Sequence, residues 1–243
     1  MPREEGRLSV CATDGGDFLE ARLGWLVERR ASGARTMVVF DLDNTIFDTR
    51  PRTLAVARAF DAERGSHWFD RLGPGDVRHD GRATASQAAL GPVPPDVVDA
   101  FASYWEDAFW RPESFAADLP IACMVAWARA ARAVGAELRF LTGRIAALHA
   151  VSLAALERIG LGVPAPALAC KPDLATRTAP WKCAVLAEWA REAAIGWFVT
   201  EGRRDTARVQ AELPAMPCVL LDCSFESPAH AIAAGTPVLD RAF

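Results

Sequence analysis

The chain contains no C-x-x-C pair, no H-x-H or HExxH cluster, and only four histidines, His67, His79, His149 and His230, which disfavours zinc sites and histidine-based catalysis. No window approaches the roughly 18 apolar residues of a membrane span. The first residues, MPREEGRLSV, lack the basic-then-apolar layout of a secretory leader, so the expectation is a cytoplasmic protein with no membrane partner. A basic excess is missing as well. The 27 Lys and Arg are outnumbered by 31 Asp and Glu, for a formal net charge of -4, and an extended nucleic-acid surface is disfavoured. The six cysteines, at positions 11, 123, 170, 183, 218 and 223, lie mostly in apolar stretches, as buried reduced thiols do. With 51% hydrophobic and 24% charged residues, the chain has the balance of a globular protein that can build a core.

Its 243 residues suffice for one large domain or for a core domain with an insertion. Leu19, Leu23, Leu26 and Val27 recur at helical spacing and predict a helix over 17–32, with Asp17 as N-cap and Gly33 as its stop. MVVFD at 37–41 reads as a strand buried on both faces, as in a parallel sheet. From 121 onward, predicted helices (121–134, 146–159, 180–194, 205–213) alternate with predicted strands (138–142, 167–170, 195–200, 218–222). Such alternation specifies an α/β fold with a doubly wound parallel sheet. Residues 50–118 break the rhythm. Val97, Val98, Phe101, Tyr104, Trp105 and Ala108 trace a helical stripe without a buried strand, so residues 49–118 are read as a helical insertion and 1–48 with 119–243 as the core. Trp68, Trp105, Phe109 and Trp110 either pack that insertion or line a pocket in it.

In open α/β sheets, ligands bind beyond the carboxyl ends of the strands, and the notable polar residues fall there. Asp41 and Asp43 end the first strand, with Asp48 ordering the loop beyond; Thr142, Gly143 and Arg144 end the second; Lys182 opens a helix; Glu201 and Asp205 follow a later strand. A buried carboxylate without a partner costs several kcal/mol, so the paired acids face solvent or meet a cation. Arg50, Arg52, Arg111, Arg203 and Arg204 either steer an anionic substrate or are paired and solvated.

The run DLDNT behind VVF resembles the first motif of the haloacid dehalogenase superfamily. FLTGR resembles its second motif, Lys182 in PWKCAVLAEW its third, and VTEGRRD its acidic fourth; together they span residues 38–205. The resemblance implies a Rossmann-like core with a helical cap that closes over the site. It also implies a phosphatase acting on a small phosphomonoester, with Asp41 as the nucleophile that becomes phosphorylated and Asp43 as general acid and base. Thr142, Gly143 and Arg144 would hold the phosphate with Lys182, Thr45 would order the loop or touch phosphate, and Mg2+ would be held by Asp41, the carbonyl of Asp43 and the acids Glu201 and Asp205. The chain departs from the family pattern in two places. Glutamate stands at 201, after Thr200 where some members carry another acid; being one methylene longer, it would displace the metal or bind it through water, which makes Asp205 the firmer ligand and Glu201 the weaker. Lys171 in KPD competes with Lys182 for the third motif, and the 19-residue spacing from Lys182 to Glu201 favours Lys182. Two other readings stay open: a binding or regulatory domain that kept the fold without turnover, and phosphoryl transfer to an acceptor other than water.

Overall fold

A computed structural model describes residues 7–9, 13–87, 91–222 and 231–240. By its contacts the chain divides into two units, Met1–Ile46 with Pro120–Phe243, and Phe47–Leu119. In chain order the helices are α1 (Thr13–Ala31), α2 (Arg50–Arg64), α3 (Gly81–Ala85), α4 (Pro95–Phe109), α5 (Ala122–Ala133), α6 (His149–Arg158), α7 (Thr178–Glu192) and α8 (Arg203–Glu212). The larger unit carries a seven-stranded sheet, built from β1 (Arg7–Ser9), β2 (Thr36–Phe40), β3 (Glu137–Ile145), β4 (Leu168–Lys171), β5 (Ala194–Thr200), β6 (Cys218–Asp222) and β7 (Val238–Asp240).

The spatial order is β1-β7-β6-β5-β2-β3-β4, and every pairing is parallel. After β2 the chain builds outward through β3 and β4, then returns to place β5 on the other flank of β2. That reversal makes the carboxyl end of β2 the topological switch point, where a crevice opens. The register sets Phe40 opposite both Phe140 and Val199, and the amide of Asp41 continues the ladder by donating to the Val199 carbonyl at 2.8 Å.

Side chains alternate across β2, as the pleat requires. Met37 and Val39 join Cys183, Leu186 and Trp189 of α7 and Val209 of α8 in one apolar layer. Phe40 points the other way, edge-on to Trp127 of α5 at 5.6 Å, and Trp127 in turn stacks on Trp197 of β5 at 4.9 Å. By this alternation Asp41 falls on the α7 and α8 side. Thr200 shares it, because Phe198, two residues earlier on β5, belongs to the same layer.

Some boundaries differ from the sequence expectation. Helix α1 begins at Thr13, so Asp17 lies inside it rather than capping it; Gly15 and Gly16, poor helix formers, had imitated a boundary. A single 3-10 turn, Ala146–Leu148, precedes α6. Strand β3 runs on to Ile145 and carries Thr142, Gly143 and Arg144 within its last residues. Helix α7 starts at Thr178, which sets Lys182 in its second turn. The short strands β1 and β7 had no counterpart in the sequence reading. Of the six cysteines, Cys123, Cys170, Cys183 and Cys218 are free thiols, while Cys11 and Cys223 lie outside the described residues.

The smaller unit has its own core. Leu54, Ala57 and Phe60 of α2 pack with Phe69, Leu72 and Val77 of the following loop and with Phe101, Trp105 and Phe109 of α4. Trp105, Phe109 and Trp110 thus pack the helices, whereas Trp68 remains exposed. Gly81 is required where α3 meets α4, since a Cβ there would sit 2.7 Å from the Cβ of Trp105. Arg52, fully buried, donates from Nε to Asp118 at 2.7 Å and lies over the rings of Phe115 and Phe109 at 3.9 and 4.3 Å. Among the described residues, no helix is long and apolar enough to cross a membrane.

Candidate active site

Beyond Phe40 the chain makes a tight turn rather than a longer strand. Asn44 adopts a left-handed conformation (φ 53°), which asparagine tolerates better than most residues. The amides of Thr45 and Ile46 then both donate to the Leu42 carbonyl, at 3.2 and 2.9 Å. This curl sends Asp41 and Asp43, two positions apart, to different partners.

Asp41, 4% exposed, accepts on Oδ1 from the Leu42 amide at 2.7 Å. On Oδ2 it accepts from the Lys182 ammonium and from the Thr200 hydroxyl, the latter at 3.0 Å. Lys182 also donates to Asp205 Oδ2 at 2.5 Å, so one ammonium bridges an acid from β2 and an acid from the first turn of α8. Glu201 joins the same group. Its Oε2 accepts from Thr45 at 3.1 Å and from Thr200 at 3.4 Å, and the Thr200 oxygen accepts from the Gly202 amide at 3.2 Å.

Asp43 turns toward β3. Arg144, wholly buried, grips it with two hydrogen bonds, Nη2 to Oδ1 at 2.6 Å and Nε to Oδ2 at 3.0 Å, and its third nitrogen donates to Ser152 Oγ at 3.1 Å. The Arg144 amide donates to Thr142 Oγ1 at 3.2 Å. The arginine expected to bind phosphate is therefore placed on the expected general acid and base. The Thr142 hydroxyl, at the end of the strand beside β2, takes part in the local turn.

The electrostatics follow from this packing. Burial raises the Asp41 carboxyl above the ordinary aspartate range, and the Lys182 charge only partly counters it. Glu201 is raised well above its ordinary range, first by burial and then by repulsion from Asp41. Burial alone would lower Lys182, yet the fields of Asp205, Asp41 and Glu201 outweigh it and hold the ammonium charged. Lys182 bonds two of the three acids, Asp41 and Asp205, and only its field reaches Glu201, so the group holds more acids than bases. Lys171 takes no part in the cluster; it ends β4, and its field falls on Asp173.

The donor chemistry fits a hard cation. Every group here that could serve as a ligand is an oxygen, from Asp41, Asp205, Glu201 and the main-chain carbonyl of Asp43, which is the set that suits Mg2+ rather than softer metals. Among the described residues, no three His, Cys, Asp or Glu side chains form a ready cage. Mg2+ keeps several waters and needs only one or two carboxylates from the protein, so the set still suits it.

The sequence singled out all the members of this cluster except the two groups that connect them. Thr200 was noted only as a departure from the family pattern, although it bonds both Asp41 and Glu201. Ser152 carried no signal, since its partner is eight residues away on another element. Of the arginines that the sequence offered for steering an anionic substrate, Arg50 pairs with Asp48 at 2.6 Å, Arg52 with Asp118, Arg111 with Asp107 and Arg203 with Asp222 at 3.6 Å.

No protein-family model matches the chain, and no curated protein matches it. Solved structures share its fold. A haloacid dehalogenase-like hydrolase from Streptococcus pneumoniae superposes with a TM-score of 0.56 at 10% identity, covering 87% of this chain and 95% of its own. A predicted phosphatase from Clostridium acetobutylicum gives 0.52 at 13% identity over 86% and 94%. A predicted phosphoglycolate phosphatase from Haemophilus somnus gives 0.50 at 14% identity over 84% and 89%. The chain has the haloacid dehalogenase-like fold.

Proposed function

We propose that the chain is a Mg2+-dependent phosphatase that hydrolyses a small phosphomonoester through an aspartyl-phosphate on Asp41. The observation that carries this reading is the convergence of Asp41, Lys182, Thr200 and Asp205 at the switch point of the sheet. A carboxylate held by an ammonium and a hydroxyl on one oxygen is oriented for attack, and a buried setting makes it reactive rather than solvated.

In the first step a carboxylate oxygen of Asp41 bonds to phosphorus as the ester P–O bond breaks. Asp43, protonated from water once its carboxyl has left the Arg144 fork, gives that proton to the departing alkoxide. In the second step Asp43 takes a proton from water, the water oxygen bonds to phosphorus, and the P–O bond to Asp41 breaks, restoring the carboxylate and releasing inorganic phosphate. Lys182 offsets charge on the transferring group throughout, and main-chain N–H groups around Thr142 and Gly143 receive its oxygens. Asp41, Asp205 and the Asp43 carbonyl, with Glu201 directly or through water, would hold Mg2+, which when bound would supply the charge neutralisation that lets an anionic ester approach these acids.

The test is release of inorganic phosphate from a panel of small phosphate esters with Mg2+ present. Phosphoglycolate belongs at its head, because a structure of this fold carries that substrate's name. Turnover that disappears in Asp41→Asn supports the reading; a silent wild type across the panel defeats it. One observation favours a second reading, a binding domain without turnover: the Asp43 carboxylate is already taken by Arg144. Such a domain would bind a phosphate ester without consuming it, and Asp43→Ala would leave that affinity intact in calorimetry.

A further inference from the structure

Between α7 and α8 the core unit has a groove of about 500 Å3, lined among others by Arg177, Thr178, Arg204, Asp205 and Arg208. Arg208 is held by Glu212 one turn on, but Arg177 and Arg204 are exposed and make no ion pair among the described residues. Two guanidinium groups thus face one concavity without a counter-anion. Its only lining acid is Asp205, and the ammonium of Lys182 already engages that carboxylate from the core side.

The groove also adjoins the candidate active site through two of its walls. Asp205 belongs to both. Thr178, the first residue of α7, packs so closely on Gly143 that a Cβ there would lie 3.3 Å from the threonine methyl, which ties the other wall to the Thr142-Gly143-Arg144 segment of β3. Inorganic phosphate alone would leave most of this volume empty, so the concavity suits one end of a longer molecule.

We propose that the groove is a subsite for a second oxyanion, a carboxylate or a further phosphate, on a phosphate ester whose transferring phosphate lies at Asp41. Arg177 and Arg204 bind that second group by charge-assisted, two-pronged hydrogen bonds. The substrates are then doubly anionic esters rather than simple alkyl or aryl phosphates. This assignment rests on the phosphatase reading given above and adds the substrate class to it.

The experiment measures binding to the full-length Asp41→Asn protein, which holds esters without turning them over, by calorimetry with Mg2+ in the buffer. The probes are alkyl phosphates bearing a terminal carboxylate or a terminal phosphonate on chains of increasing length, each compared with the isosteric alkyl phosphate. A preference of at least about tenfold for one doubly anionic series is expected, falling toward unity when Arg177→Ala and Arg204→Ala are added. Both side chains are exposed, and an unchanged melting temperature checks that the variant is folded. A preference in either series supports the subsite and names its group. No preference in either, or one that survives loss of both arginines, overturns it. The two readings fail separately: an arginine-dependent preference in a protein that releases no phosphate leaves the subsite and removes the phosphatase, and turnover without preference does the reverse.

Discussion

Replacing Arg144 by alanine removes a guanidinium that is entirely buried and whose hydrogen bonds include two to Asp43 and one to Ser152. Taking one partner from a buried ion pair costs about 3–5 kcal/mol, because the other charge keeps its desolvation penalty. The Asp43 carboxylate retains 19% exposure, so water recovers part of that loss, and a destabilisation of ~2–4 kcal/mol is expected. Arg144→Lys keeps the charge but loses the planar fork, and should cost about 1–2 kcal/mol. Asp43→Asn keeps the shape and two acceptor or donor sites, and should fall below Arg144→Ala.

Urea unfolding followed by tryptophan fluorescence measures each change, because the stacked Trp127 and Trp197 report on the core unit that holds the pair. The decisive quantity is the coupling energy from the cycle of Arg144→Ala, Asp43→Asn and the double variant, which isolates the pair from the cavity and the serine contact. A coupling of ~1.5–3 kcal/mol is expected for hydrogen-bonded charges in this setting. A value under about 0.5 kcal/mol would show that the two side chains contribute independently, and the assignment of Arg144 as the anchor of Asp43 would fall.

Three further outcomes are expected. Lys182→Met leaves Asp41, Asp205 and Glu201 without their shared ammonium, so phosphate release should drop by about 10²-fold or more, and Mg2+ should raise the melting temperature of the variant more than that of the wild type; equal shifts would deny that metal and lysine serve the same acids. Burial pushes the thiols of Cys183 and Cys218 up to about 12, so at pH 8 only about one in 10⁴ of each is thiolate, and mass spectrometry after brief iodoacetamide treatment of the native protein should find both unmodified; rapid labelling of either would contradict their placement. In the smaller unit Arg52→Met should destabilise by about 3–5 kcal/mol, with much of the loss recovered by Asp118→Leu in the same chain, since both side chains are fully buried; urea titrations of the single and double variants decide it.

The strands and helices of the core were legible because their apolar runs are long enough to show a period, and because Gly33, Gly135 and Gly160 mark helix ends in left-handed conformations. Strands β1 and β7, three residues each, are too short for alternation to register. The acids and the lysine of the site were legible as isolated residues at strand ends. Their partners were not, because 101 residues separate Arg144 from Asp43 and 159 separate Thr200 from Asp41, and local spacing carries no information across such distances. Lys182 could be preferred over Lys171 on chain length alone, since a helix and a strand must fit between the lysine and Glu201. That arithmetic says nothing about where the ammonium points. The direction comes from the pleat: odd-numbered residues of β2 face α7, so Asp41 meets a residue of α7 once Met37 and Val39 have met its apolar face.

The D-x-D pair thereby divides into two electrostatic environments of different sign balance. Asp43 is paired with the buried guanidinium of Arg144, positive charge against negative. Asp41 has a share in Lys182, which also serves Asp205, while Glu201 stands close enough to be repelled by Asp41. Three acids to one base is a state that water screens poorly in a buried site, and the hydroxyls of Thr45 and Thr200, which donate to these carboxylates, redistribute the charge without cancelling it. Under the proposed reading a divalent cation entering on the Asp41 side would cancel it, whereas one entering on the Asp43 side would displace an ion pair already formed. Under the phosphatase reading the asymmetry would also separate two steps of the reaction. In the proposed reaction the carboxylate that would receive phosphorus is fixed by Lys182, Thr200 and the Leu42 amide, whereas the one that would move protons must first leave the Arg144 fork.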